Sequence, residues 1–218
     1  MPEALSRSQR RIVAEVMAVV ESDGFVIAGG IALIAAGVSS RPTQHLDSFS
    51  PSCDDVALVA KRLVEQLRGS GYLVDVHRSD ATFARMTVST GKYRRTVSVV
   101  ELRRDVQLFE AVSNALGPML SIRELAADKM LAAFGRREPR DLVDLSSLAD
   151  ATSLRQAVVD ARAKDPGFGR DLFVEMVART MLVRDDLWPE GSEPEAIREF
   201  AHDVLLDPDL FGDHPEFP

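Results

Sequence analysis

Apolar residues at Ile12, Val13, Val16, Val19 and Val20 recur at helical spacing and predict a helix over residues 9–21. Ser22-Asp23-Gly24 ends it with turn chemistry. A short apolar strand, Phe25-Val26-Ile27-Ala28, then runs into Gly29-Gly30, followed by an apolar helical run over 31–37. A polar loop, Ser39-Ser40-Arg41-Pro42-Thr43, leads into a returning strand at His45-Leu46-Asp47, and 49–53 reads as a loop. Asp54 and Asp55 stand where acids favour a helix N-terminus, so a helix is expected to Leu67, closed by Gly69-Ser70-Gly71. Three strand signals come next, over 72–77, 83–89 and 96–102, the last two joined by a hairpin turn at Thr90-Gly91-Lys92-Tyr93. This half reads α-β-α-β-α-β-β-β.

The pattern changes near Ser113, and Asn114 to Pro118 reads as a linker-like break. From Ile122 onward the periodicity is helical only. Ser121 followed three residues later by Glu124 matches capping-box spacing and opens a helix over 122–136. Further helices are expected over 140–148, 154–163, 170–182 and 195–205, with a loop over 189–194. The fold class is therefore α+β. A mixed sheet with flanking helices forms a core domain over 1–112, an α-helical domain covers 113–206, and 207–218 is an irregular tail.

Composition narrows the classes. The 218 residues are 45% hydrophobic and 28% charged, ordinary for a globular chain. The longest apolar stretches, 31–36 and 56–60, fall far short of a membrane span, so no membrane partner is expected. No basic segment with an apolar core follows Met1-Pro2-Glu3, so no signal peptide is expected. The single cysteine, Cys53, excludes an intramolecular disulfide and fits a reducing, cytoplasmic setting. It reads as a packing or loop residue. The net charge of −8 is unevenly spread. Asp185, Asp186, Glu190, Glu193, Glu195, Glu199, Asp203, Asp207, Asp209, Asp213 and Glu216 face only Arg198, whereas Arg85, Lys92, Arg94, Arg95, Arg103 and Arg104 outweigh Glu101 in the middle. That basic hairpin reads either as a dock for a polyanion or as a charge-protected strand edge.

Two constellations carry chemistry. A glycine pair between strand and helix lets a phosphate approach main-chain N–H groups, or else serves a tight turn. His45 and Asp47, two apart on a strand, point the same way. Two carboxylates there would hold Mg²⁺ for phosphoryl chemistry, but only Asp47 is a hard ligand. His45 could accept a proton or touch a phosphate, or be a half-buried strand residue. The second constellation brings together Lys129, Arg136 and Arg140, cations suited to a triphosphate, with Asp141 and Asp144 on one helix face. Its plainer reading is a helix surface laced with ion pairs such as Arg140 with Asp144.

In order, the two segments resemble the AbiEii/AbiGii-type nucleotidyltransferase toxins, a branch of the DNA polymerase β-like nucleotidyltransferase superfamily that includes the MenT toxins. The early motif of that branch, GG-x-AL then R-x-[ST]-x-D-[IL]-D, is matched by Gly29-Gly30-Ile31-Ala32-Leu33 and by Arg41-Pro42-Thr43-Gln44-His45-Leu46-Asp47. The late motif, K-x-x-A, then R, then RD-x-x-DL, is matched by Lys129, Ala132, Arg136 and Arg140-Asp141-Leu142-Val143-Asp144-Leu145. The resemblance covers roughly 25–148. It implies transfer of a nucleoside monophosphate from an NTP to RNA, at the 3′ end of tRNA, blocking translation, with a cognate antitoxin as partner. By the same resemblance Gly29 and Gly30 line the triphosphate, Asp47 binds Mg²⁺, and Arg41 and Thr43 touch phosphate or order the loop. Lys129 neutralises the triphosphate, Arg136 and Arg140 add cations, and Asp144 is the late acid, with Asp141 as its substitute. Glu101 is matched by position alone. His45 departs from the motif, which has an acid there. That leaves open an enzyme working with one strongly bound metal, a slow enzyme, or a catalytically silent binding module, and an enzyme transferring AMP to a protein hydroxyl shares the same core.

Overall fold

The computed structural model describes residues 5–212 except Lys92. Lys92, Asp213 and Glu216 of the charged stretches, the residues at the start of the chain and the last six of the expected tail lie outside the described residues. The chain forms two compact units, Met1–Ser121 and Ile122–Pro218.

The first unit opens with α1 (Arg7–Val20). Ser6 and Gln9 cap it reciprocally: Gln9 N–H donates to Ser6 Oγ at 3.2 Å and Ser6 N–H to Gln9 Oε1 at 2.9 Å. A single 3₁₀ turn (Glu21–Asp23) ends at Gly24. There follow β1 (Val26–Ala28), α2 (Gly29–Ala35), β2 (His45–Ser50), α3 (Val56–Gly69), β3 (Leu73–Ser79), β4 (Phe83–Thr90) and β5 (Arg95–Arg104). Two short strands, β6 (Val112–Asn114) and β7 (Gly117–Met119), complete the unit. Asp55 caps α3, its Oδ1 accepting from Ala57 N–H at 2.9 Å.

The strands make one mixed sheet in the order β3-β4-β5-β2-β1-β7-β6. Neighbours run antiparallel except β2 with β5 and β1 with β7. Its central strands obey the period of two. Leu46, Ser48, Ala84, Met86, Val88, Val100 and Leu102 are buried on one face, and α1 and α3 pack on the sheet. His45, Asp47, Phe49, Val99, Glu101, Arg103, Phe83, Arg85 and Thr87 line the other face, half-buried or exposed.

Three expectations change. β2 continues through Phe49 to Ser50, where a loop was expected. The expected break at 114–118 is the β6–β7 hairpin, and Leu120 N–H still donates to Ile27 O beside β7 at 2.9 Å, so the units divide after Ser121 rather than at 112. The basic hairpin β4–β5 is interior to the sheet, flanked by β3 and β2, so edge protection does not explain its arginines.

The second unit contains α4 (Ile122–Gly135), α5 (Pro139–Ala149), α6 (Leu154–Lys164), α7 (Arg170–Met181) and α8 (Pro194–Phe200), the last continued by a π turn (Ala201–Leu205). Phe134, Phe168, Phe173 and Phe211 form an aromatic core, with successive ring centroids at 5.1, 5.6 and 5.4 Å. Phe211 belongs to the stretch expected to be irregular. It is carried inward on a 3₁₀ turn, Pro208–Phe211, because an aromatic side chain has a core to join. Ion pairs tie α6 to α4. Arg123 grips Asp160 bidentately at 2.8 and 2.9 Å, and Lys164 reaches Glu124 at 2.5 Å and also Asp128.

Candidate active site

The first-unit site is assembled by strand pairing. β2 presents His45 and Asp47 on one face, and the parallel register sets Asp47 beside Glu101 of β5. One ligand atom from each of His45, Asp47 and Glu101 lies within 4.8 Å of the other two, and all three are half-buried. Two carboxylates and an imidazole that converge from neighbouring strands make a donor set that fits a divalent cation. Glu101 is also held by arginine: Arg85 Nη1 stands 3.3 Å from Oε1 and Arg103 Nη2 4.0 Å from Oε2.

The glycine pair lies against this cluster. β1 and β2 run antiparallel with Ala28 opposite Asp47, so the next residue, Gly29, meets the Asp47 side chain. Gly29 has φ +59, and a Cβ there would stand 2.0 Å from Asp47 Oδ2. It must therefore be glycine twice over, for the left-handed backbone and for the carboxylate beside it. A Cβ added at Gly30 would stand 3.3 Å from Thr43 Cγ2. Thr43 Oγ1 accepts from His45 N–H at 3.2 Å, which orders the entry to β2. Gln9 Nε2 donates to Thr43 O from α1. Arg41 N–H donates to Ser39 Oγ at 3.2 Å in the same loop. Gly29→Ala is expected to lower stability by about 1–2 kcal/mol from the left-handed backbone alone. It should also weaken divalent-ion binding by displacing Asp47. Urea unfolding and an ion titration measure the two effects, and unchanged ion affinity would show that the carboxylate tolerates the displacement.

The next row across the sheet is aromatic and cationic. Phe49, Arg103 and Phe83 are register partners on β2, β5 and β4. The Arg103 guanidinium lies over both rings, at 5.4 Å and 5.7 Å, and Arg78 over Phe83 at 5.0 Å. Sequence reading missed Phe49 and Phe83 as surface residues of the site. Their signal was positional: Phe49 is two residues beyond Asp47, on the same face.

The late constellation closes within the second unit. Lys129 Nζ sits between Asp144 Oδ2 at 2.6 Å and Asp141 Oδ1 at 3.2 Å. Arg136 grips Asp141 bidentately at 2.7 and 2.9 Å. Arg140 pairs with Glu138 at 2.5 Å, not with Asp144 as the plainer sequence reading had it. Asp141 and Asp144 have no exposed surface and Lys129 is 7% exposed. Burial alone would lower the Lys129 pKa, but the carboxylates of Asp144 and Asp141 more than reverse it and leave it raised. Burial would likewise raise Asp141, yet Lys129 and Arg136 hold it below the usual carboxylate range.

A cleft of about 530 Å³ lies elsewhere in the first unit, lined by Glu21, Asp23, Asp54, Asp55 and Arg62 among others, with no residue of the His45 cluster. Two of its acids serve local structure: Asp55 caps α3 and Asp23 pairs with Arg62.

The family described as nucleotidyl transferase AbiEii toxin, type IV TA system, matches residues 11–217. No curated protein matches in sequence. Among solved structures, JHP933 from Helicobacter pylori superposes with a TM-score of 0.59 at 17% identity, covering 91% of this chain and 88% of that one. The MenT4 nucleotidyltransferase toxin from Mycobacterium tuberculosis H37Rv superposes with a TM-score of 0.53 at 20% identity, covering 95% and 89%. At such identities the likeness is one of fold.

Proposed function

The chain belongs to the AbiEii nucleotidyl transferase toxin family, and we propose that it moves a nucleoside monophosphate from an NTP to the 3′ end of RNA, with tRNA as acceptor. In that reaction the terminal RNA hydroxyl oxygen bonds to the α-phosphorus, its proton passes to solvent, the α–β phosphoanhydride bond breaks, and pyrophosphate leaves. The observation that carries the proposal is the convergence of Asp47, Glu101 and His45 beside a glycine pair whose missing side chains let the Asp47 carboxylate and Thr43 pack against the main chain. A divalent ion held by these three side chains would supply Lewis-acid polarisation of the α-phosphate and lower the pKa of the attacking hydroxyl. Mg²⁺, the ion the family resemblance implies, suits the two carboxylates but not the imidazole.

The chain's own groups divide the remaining work. Asp47 and Glu101 orient toward the reacting phosphate from adjacent strands. Arg85 and Arg103 pair with Glu101 beside the cluster, and Arg41 and Thr43 order the loop that enters β2. The row Phe49–Arg103–Phe83 favours a nucleic-acid acceptor over a protein hydroxyl, because half-buried aromatic rings interleaved with arginine offer edges and cations on which bases stack. In this reading the product tRNA is blocked for translation, a cognate antitoxin restrains the enzyme, and the setting is cytoplasmic. Among the described residues no helix is long and apolar enough to cross a membrane.

The test is incubation of the full chain with total tRNA and each α-labelled NTP, with Mg²⁺ or Mn²⁺. Label is expected at RNA 3′ ends with at least one NTP. Replacing Phe49 and Phe83 by Leu should raise KM for RNA about fivefold or more, given stacking worth ~1–3 kcal/mol per base, and leave KM for NTP unchanged. Label on protein instead would select AMP transfer to a hydroxyl, and no label with any nucleotide and either ion would remove the enzymatic reading.

A further inference from the structure

We propose that His45 makes the cluster a mixed nitrogen–oxygen site that takes a first-row transition dication, with Mn²⁺ as its working ion, in preference to Mg²⁺. The inference rests on the nucleotidyl-transfer reading of the same site and specifies its cofactor.

The geometry already approximates a first coordination sphere. Donors bound at about 2.0–2.2 Å to one ion stand roughly 3 Å apart when adjacent. The three ligand atoms here lie within 4.8 Å of one another, so the side chains need to draw together by an ångström or two to hold one ion. The backbone holds the set in place, since His45 and Asp47 alternate on β2 while the β2–β5 ladder pairs Asp47 with Glu101. All three donors approach from one sheet face, which leaves the opposite positions of an octahedral ion for water and triphosphate oxygens. All three are also partly exposed, so an ion can enter without local unfolding.

The donor chemistry then decides which ion. Mg²⁺ demands near-ideal octahedral oxygen ligation and gives up water reluctantly, so an imidazole among three protein donors forfeits much of its affinity. Imidazole suits first-row dications such as Fe²⁺, Ni²⁺ and Zn²⁺ better than Mg²⁺, and the two carboxylates keep the set hard enough for Mn²⁺. The motif that this chain otherwise follows has an acid at His45, so one residue converts a magnesium-type donor set into a manganese-type one. Glu101 can turn to the ion at small cost, because its arginine contacts are long, at 3.3 and 4.0 Å.

The test is an electron paramagnetic resonance titration of the full chain with Mn²⁺, followed by Mg²⁺ competition. One Mn²⁺ site is expected, displaced only by a Mg²⁺ excess of about tenfold or more. Pulsed spectra should show ¹⁴N modulation from a bound imidazole. That signal should vanish in His45→Gln and persist in His77→Gln, with circular-dichroism melts confirming that both fold. His45→Asp should shift the competition toward Mg²⁺ by about tenfold. A wild-type Mn²⁺ complex without nitrogen modulation, a signal that survives His45→Gln, an unshifted competition in His45→Asp, or no Mn²⁺ site at all would each overturn the proposal. NTP incorporation fails or succeeds separately. A nitrogen-ligated Mn²⁺ site without transfer would leave this inference standing and remove the reaction, and transfer without nitrogen ligation would do the reverse.

Discussion

Asp47→Asn is expected to cut nucleotide transfer by roughly a thousandfold, the equivalent of ~4 kcal/mol of transition-state stabilisation. No other residue of the first-unit cluster combines so many roles. Asp47 is the carboxylate that the sequence motif and the three-residue cluster share, it pairs across the ladder with Glu101, and its carboxylate fills the space that Gly29 leaves open. An amide keeps the shape and most of the packing, so the backbone around Gly29 has no reason to move. It removes the negative charge that a cation or a metal-bound phosphate needs. In buffer containing EDTA the variant should melt at or slightly above the wild-type temperature, because one of two neighbouring anions has gone. Activity and melting therefore separate two roles. A thousandfold loss with an unchanged melt places Asp47 at the reacting phosphate, whereas a lowered melt with a small loss would make it a prop for the glycine turn.

What could be read from the sequence follows from what is local. The alternation through β2, β4 and β5, the helical stripes of α1 and α3, and the early motif all involve residues a few positions apart, and each is visible in the chain. Glu101 is different. Its place beside Asp47 depends on β2 and β5 pairing in parallel in one register, across a long intervening sequence, and no property of Glu101 itself announces that. The same ladder sets Arg103 beside Phe49, and the β4–β5 ladder adds Phe83 on the far side of Arg103. The β6–β7 hairpin was hidden for another reason. Its strands have three residues each, and Gly117-Pro118 looks like a break, but β7 needs only Met119 beside Ile27 to join the sheet. The late motif was legible as a set of charges, but not its partners. Lys129, Asp141 and Asp144, taken alone, read more readily as a surface lattice of ion pairs than as a ligand site, and burial shows that they saturate one another inside the unit.

That saturation underlies the second large effect. Lys129→Met is expected to lower unfolding free energy by about 3–5 kcal/mol, the cost of breaking a buried ion pair by removing one partner. We propose that the late motif holds α4 to α5. Lys129 on α4 bonds both acids of α5, and Arg136, just beyond α4, completes Asp141 with two further hydrogen bonds. Without Lys129, Asp144 is left as a buried carboxylate that has lost its 2.6 Å cationic partner. The chain's only tryptophan, Trp188, is buried in the second unit and bonded through Nε1 to Val183 O at 3.1 Å, so its fluorescence follows unfolding there. The double variant Lys129→Met/Asp144→Leu should recover much of the loss, since an apolar pair of similar volume replaces a buried ion pair at little net cost. The pH dependence carries a defined sign. Asp141 titrates below its unfolded value of about 3.9, so its contribution is complete above that pH and is lost as pH falls through the folded value. Lys129 titrates above its unfolded value of about 10.4, so its contribution is complete below that pH and is lost as pH rises through the folded value. The deficit of Lys129→Met should therefore be flat between about pH 5 and 10 and shrink outside that window as wild type loses the same interactions. A deficit under about 1 kcal/mol, combined with abolished transfer, would instead put Lys129 on the triphosphate, as the family resemblance implies, because a residue whose work is structural cannot be removed without structural cost.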